Sequence, residues 1–209
     1  MTPPAPRIHP TAIVEEGVRI GEGTSIWDHV HVRSGARIGS ECIIGEKTYV
    51  AYDVTIGSRV KINAFVYVCA MVTIEDGVMV SAGTVFTNDL MPRATTPDLA
   101  ELHASGPDEK TRATLVRQGA TIGANCTIGS GLEIGRWAMV GMGSVVTKPV
   151  PDFHLVTGNP ARSMGIVCRC GQRVFRFEGP AEQAVGEALC GACGRRYLIE
   201  RGSARELDC

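Results

Sequence analysis

Four of the chain's cysteines fall in two tight pairs near its end, Cys168 and Cys170 in CRCG and Cys190 and Cys193 in CGACG. Paired thiolates, each pair followed by a glycine that permits a tight turn, suit tetrahedral zinc. A shell made only of cysteine leaves no open coordination position, so the metal expected there is structural. Histidine is the natural general base near neutral pH. His29 and His31 stand close together in IWDHVH, His154 lies late in the chain, and His9 and His103 have no companions.

These residues are carried by a repeat of six. An aliphatic residue returns at Val14, Ile20, Ile26, Val32, Ile38, Ile44, Val50, Ile56, Ile62, Val68, Ile74 and Val80, with Phe86 next. The beat resumes at Ile122, Ile128, Ile134, Val140 and Val146. Neither helix nor plain strand gives strict sixes, and such repetition outranks local propensity. Four places after each aliphatic sits a small or β-branched residue such as Val18, Thr24, Val30, Ala36 or Cys42. It lies two places before the next aliphatic, so both point inward on one strand. Glycine stands directly after the aliphatic (Gly21, Gly39, Gly45, Gly57) or three places after it (Gly17, Gly23, Gly35, Gly83), positions that suit a corner needing positive φ. Each hexad is then a short strand plus a corner, and three hexads close a triangular coil. The eighteen hexads make about six coils, a prism roughly 29 Å tall at ~4.8 Å per coil. In this phase His29 and His31 leave the core, Cys42 and Cys126 enter it, Cys69 faces outward and Cys209 belongs to a tail.

Composition sets limits. A formal net charge of -1 and a pI near 6.5 give no electrostatic footprint for nucleic acid. No apolar run approaches the ~20 residues of a membrane span, and MTPPAPRIHP lacks a signal-peptide core. A cytoplasmic location is expected, without membrane or nucleic-acid partners. From Thr87 to Gly119 the beat is lost, and Pro92, Pro97 and Pro107 forbid a continuous strand or helix. An insertion longer than ~15 residues is often functional, here as an arm that completes a site on a neighbouring subunit.

The hexads, with FTNDLMPRA, LVRQGATIGANCTIG and VVTKPVPDFHLVTGNPAR, resemble the hexapeptide-repeat acyltransferases. The nearest group is the WlbB/WbpD-like nucleotide-3-amino-sugar N-acetyltransferases, and the resemblance covers roughly residues 7 to 165. It implies an all-β fold, a left-handed parallel β-helix over 7–165 with the insertion at 87–119, assembled as a homotrimer. It also implies acetyl-CoA as cosubstrate and the amine of an amino sugar, UDP- or dTDP-linked, as acceptor. Asn88 matches the asparagine that this family places beside the acceptor amine. Asp89 would assist it, and His31 matches a histidine that acts as base or binds substrate. Gly141 and Gly143 would let the pantetheine arm approach the corner backbone, Lys148, Arg162 and Arg117 would meet phosphates, and Arg93 and His29 would contact the acceptor. INAFVYVCA replaces the amide-rich hexad of close relatives, and SAGT replaces a proline-containing turn. The identity of the sugar therefore stays open.

Residues 166–209 follow another plan and resemble a zinc ribbon, with Cys168, Cys170, Cys190 and Cys193 as ligands and QRVFRF and RRYLIE as short strands. A γ-carbonic-anhydrase-type lyase would need histidines on adjacent coils, but eighteen residues after His9 stands Trp27 and after His31 stands Tyr49. The alternatives are an acetyltransferase for a non-nucleotide small molecule and a noncatalytic scaffold carrying a zinc-ribbon interaction module.

Overall fold

A computed structural model describes residues 4–104 and 106–207. The hexads form a three-faced parallel β-helix. The first face begins at Arg7–Ile8 and grows into a 10-stranded sheet, the second holds seven strands from Ile13–Val14 to Val145–Val146, and the third holds six. The first face starts one hexad before Val14, where Ile8 already pairs with Ile26, and the second face holds seven rungs where six coils were expected. Outside the insertion and the exit segment, strand residues pair in parallel register with those eighteen positions on, as in His31 with Tyr49 and Tyr49 with Tyr67. Chemistry along this chain is therefore organised in columns.

The inward columns form one core. Val32, Ile44, Val50, Ile62, Val68, Val80, Ile122 and Ile128 are fully buried, and so are the small residues Val30, Ala36, Cys42 and Val54. Hydroxyls that enter this core are satisfied by corner carbonyls: Thr24 Oγ1 donates to Gly39 O (2.7 Å) and Thr84 Oγ1 to Gly123 O (3.1 Å).

Several expectations are corrected. The beat resumes at Val116, one hexad earlier than Ile122, so the excursion ends before Thr114–Val116 and not at Gly119. Val116 pairs with Ile74 and is fully buried. The two glycine columns do different work. Gly35 and Gly83 do take positive φ (78° and 72°), and Asn125 also does (56°). Gly39 does not: a Cβ there would lie 2.6 Å from the Gly57 carbonyl on the next coil. The column directly after the aliphatic thus lets successive corners touch. Cys69 is buried, not outward. The neck of the insertion lies against its corner, and burial, with the Asp89 carboxylate adding to it, pushes the thiol up to about 12.

After Val146 the chain leaves the hexad plan. His154–Gly158 stacks on Met139–Val140, then Ala161–Val167 and Arg173–Arg176 continue the same sheet in antiparallel sense. Val185–Leu189, Arg196–Glu200 and Ser203–Leu207 form a separate three-stranded sheet. Phe153, Ile166, Cys168, Phe177, Cys190, Tyr197 and Ile199 make a second core. The strand Ala161–Val167 crosses the expected junction at 165/166, so this module grows directly out of the prism. Cys209 lies outside the described residues.

Gly39→Ala is expected to cost about 1–3 kcal/mol through overpacking, whereas Gly106→Ala, with open space around it, should be close to neutral. Thermal unfolding of both variants checks this; equal midpoints would contradict close approach as the reason for glycine at Gly39.

Candidate active site

The insertion is a strap tied at its neck. Asn88 and Asp89 leave the second face directly after Val85–Phe86, and the returning chain closes on them where Arg112 N–H donates to Asn88 O (2.9 Å). Between these ends, Ala94 to His103 fold back on themselves, with a bridge from Thr95 to Leu102. Strap and prism enclose a cavity of about 850 Å³ lined by Tyr49, Tyr52, Tyr67, Asn88, Asp89, Arg93 and His103, among others. A volume of this size suits a drug- or nucleotide-sized ligand.

The wall of the cavity is an aromatic column. Tyr49 and Tyr67 stack with ring centroids 5.3 Å apart and planes within 5°, and His31 meets Tyr49 edge-on at 5.4 Å. On the next three rungs the column continues with Val85, Thr127 and Val145. The rings therefore stop in a step beside Asn88. Below them, Glu15 gathers the Ser34 N–H (2.8 Å), His31 Nε2 (3.0 Å) and Arg33 Nε (2.6 Å). The Ser34 N–H is the largest cause holding this carboxyl below its ordinary range, with His31 and Arg33 adding to it. Arg33 also donates to the Tyr49 hydroxyl (2.7 Å) and lies over the Tyr52 ring at 4.1 Å.

Among the expected site residues, the fold brings together Asn88, Asp89 and Arg93. His31 touches this group only through Tyr49. It stands three rungs from Asn88, roughly 14 Å along the axis at ~4.8 Å per rung, so within one chain the two cannot serve the same amine. His29 is turned away at a corner, against Asp28 (3.1 Å). Tyr49, Tyr67, Arg33 and His103 were not anticipated.

A second cavity of about 530 Å³ lies where the prism meets the cysteine-rich module, and it contains Lys148 and Arg162 together with His154 and Arg201. Arg117 is not with them. Its guanidinium is held on the third face by Glu133 (2.8 Å) and Glu75 (3.1 Å), which leaves it neutralised. Gly143 (φ 69°) has open space about it, while a Cβ on Gly141 would strike Thr157 of its own next rung at 2.7 Å. Of the two glycines, Gly143 alone faces room for a ligand.

In the module the sulfurs of Cys168, Cys170, Cys190 and Cys193 all lie within 4.8 Å of one another. Burial pushes the Cys168 thiol up to about 12, whereas Cys193 is brought down to about 6 by the Arg195 backbone N–H and side chain.

Residues 17–52 match the family of the bacterial transferase hexapeptide (six repeats), and residues 118–148 match the hexapeptide repeat of succinyl-transferase. This chain carries the transferase hexapeptide repeat. It is 44% identical over 94 residues to dTDP-3-amino-3,6-dideoxy-alpha-D-galactopyranose 3-N-acetyltransferase of Aneurinibacillus thermoaerophilus, a match covering 45% of each chain. It is 34% identical over 86 residues to the serine acetyltransferase of Haemophilus influenzae, which covers 41% of this chain and 31% of the relative. The matches thus span less than half the length of these relatives. Among solved structures, AntD, an N-acyltransferase from Bacillus cereus in complex with dTDP and 3-hydroxybutyryl-CoA, shares the fold. Its TM-score is 0.50 at 22% identity, over 78% of this chain and 80% of that one. No helix among the described residues is long and apolar enough to cross a membrane.

His154 is buried, with Nδ1 2.8 Å from Ser163 Oγ and Nε2 2.5 Å from Gly202 O. Burial holds its pKa below the ordinary histidine value, so the unfolded chain takes the proton more readily. Its stabilising contribution is present above about pH 6.5 and falls as the pH drops below that value. The thermal midpoint should therefore fall between about pH 7.5 and 5.5, and His154→Gln should flatten that slope. An unchanged slope in the variant would contradict a neutral buried imidazole.

Proposed function

We propose that this chain is an acetyl-CoA-dependent N-acetyltransferase whose acceptor is the amine of a nucleotide-linked amino sugar. The observation that carries this reading is the strap cavity, which joins Asn88 and Asp89 to a step of tyrosine rings and to Arg93. The similarity to an amino-sugar 3-N-acetyltransferase supports it. Serine acetyltransferases are also among the relatives, but a cavity of about 850 Å³ with an aromatic wall and an arginine is far larger than serine needs.

In this reading the Asn88 side-chain carbonyl accepts a hydrogen bond from the neutral acceptor amine and aims its lone pair at the thioester carbonyl. The C–N bond forms, the C–S bond breaks, and CoA leaves as its thiolate. The proton lost by nitrogen passes to Asp89, directly or through water, and from there to the thiolate sulfur. Holding both reactants in line supplies most of the acceleration, and N–H donors on the developing oxyanion supply more. The pantetheine arm runs toward Lys148, which stands on the same corner column as Asn88 two rungs on, roughly 10 Å at ~4.8 Å per rung.

Assembly as a homotrimer in the cytoplasm belongs to the same proposal. Trp27, Phe65 and Met142 expose 41%, 57% and 82% of their surface along one edge of the prism, an apolar edge suited to a neighbouring prism.

The four cysteines are proposed to hold structural zinc. Tetrahedral coordination at ~2.3 Å sets sulfurs about 3.8 Å apart, and the pairs Cys168–Cys193 and Cys170–Cys190 stand at 3.3 and 3.5 Å. The expected result is one zinc per chain by elemental analysis, lost in Cys193→Ser. Metal-free protein with two disulfides would contradict the assignment.

The reading is tested by thiol release from acetyl-CoA against UDP- and dTDP-linked 3- and 4-amino sugars. Turnover is expected with one of them, falling about 10²-fold or more in Asn88→Ala, the usual size of a lost positioning or acid–base contact. Turnover only with serine or another small acceptor would contradict the nucleotide sugar, and no turnover with any acceptor would overturn the enzyme.

A further inference from the structure

The cysteine-rich module has no part in acyl transfer as described, yet it closes the second cavity. Lys148 and Arg162 reach this cavity from the end of the prism, and Arg201 reaches it from the turn between Arg196–Glu200 and Ser203–Leu207. Six arginines of the chain, Arg33, Arg59, Arg117, Arg169, Arg195 and Arg196, are held by carboxylates, and others such as Arg173 and Arg205 are not, among the described residues. Among these residues, no carboxylate lies within ion-pair distance of Lys148, Arg162 or Arg201. Glu182 is the one carboxylate in the cavity lining, and it leaves a net positive pocket.

Arg201 is also held in place. Its own φ is 49°, and the next residue, Gly202, is buried. Gly202 O meets His154 Nε2 at 2.5 Å and Gly202 N–H donates to Ala184 O at 3.2 Å. A Cβ on Gly202 would strike Ala181 O at 2.5 Å. A buried histidine of the prism thus fixes the module turn that presents this guanidinium. The sheet bearing the turn begins at Val185–Leu189 and Arg196–Glu200, on either side of Cys190 and Cys193.

We propose that Arg201 completes the phosphate-binding end of the coenzyme site, and that the cysteine-rich module serves as a clamp on the phosphorylated half of acyl-CoA. This rests on the acyltransferase reading above. Three cations from two cores converge on one opening, and Lys148 among them stands on the corner column of Asn88, two rungs on. The coenzyme would therefore span from strap to module. A metal at the four cysteines would stiffen the sheet whose turn carries Arg201, linking metal content to coenzyme affinity and not to acceptor affinity.

The test is calorimetric titration of the zinc-loaded full chain with CoA and with adenosine 3′,5′-bisphosphate. Wild type is compared with Arg201→Ala, Arg201→Lys and, as a control of equal charge, Arg205→Ala. Arg201→Ala should weaken both ligands about tenfold, the effect of one lost charge-assisted contact. Arg201→Lys should recover part of the loss, and Arg205→Ala should leave binding unchanged. Circular dichroism should show the exposed substitutions folded alike. Equal affinity of Arg201→Ala and wild type, or equal losses in both alanine variants, would overturn the clamp while leaving the acyltransferase reading intact. Failure of wild type to bind CoA at all would overturn both.

Discussion

Parallel hydrogen bonds between strand residues and those eighteen positions on are the constraint from which the rest of this structure follows. They force side chains into vertical columns, so a residue's neighbours in space are set by its place in the hexad and not by its neighbours in sequence. Inward columns need small or branched residues of nearly constant size, because three faces share one narrow core. One corner column needs glycine because successive coils touch there, and another favours glycine because the chain turns with positive φ. Outward columns are free, and the ring ladder that ends at Tyr67 is built in one of them.

The same register explains how a long insertion is accommodated. Val85 pairs with Thr127 and Ile74 with Val116 as though the intervening strap were absent. The prism stays continuous, and the strap is left to fold over the second face and wall off a cavity. The Asn88–Arg112 backbone bond at its neck holds Asn88 in place. Loop chemistry is thereby mounted on a rigid column, which is what positioning a weak nucleophile requires.

The fold was legible because a period of six leaves little freedom: strands, corners and inward faces follow from the phase of Val14. Cys42 and Cys126 were placed correctly by that phase. Cys69 was not, because phase alone says nothing of a strap passing over a corner. The Tyr49 and Tyr67 column was within reach, since both lie at multiples of eighteen from His31. The spacing that leaves no histidine stack there also sets aromatic rings on successive rungs. Val116 was missed because its hexad has Arg117 where glycine is usual, although Gly119 and Ala120 complete the pattern. Arg117 looked like a free cation in sequence, whereas Glu75 and Glu133 reach it from two other coils. Arg201 and the Gly202–His154 contact depend on how the second core docks, and no local pattern encodes docking.

Placement of the acceptor amine beside Asn88 is the central claim. The most direct measurement is a crystal structure of the protein with CoA and the amino sugar it acetylates, trapped as a dead-end complex. The sugar nitrogen is expected within about 3 Å of the Asn88 side-chain oxygen, with its nucleotide under the strap against the tyrosine step. A sugar bound elsewhere on the prism, with the strap cavity empty of ligand, would contradict the account.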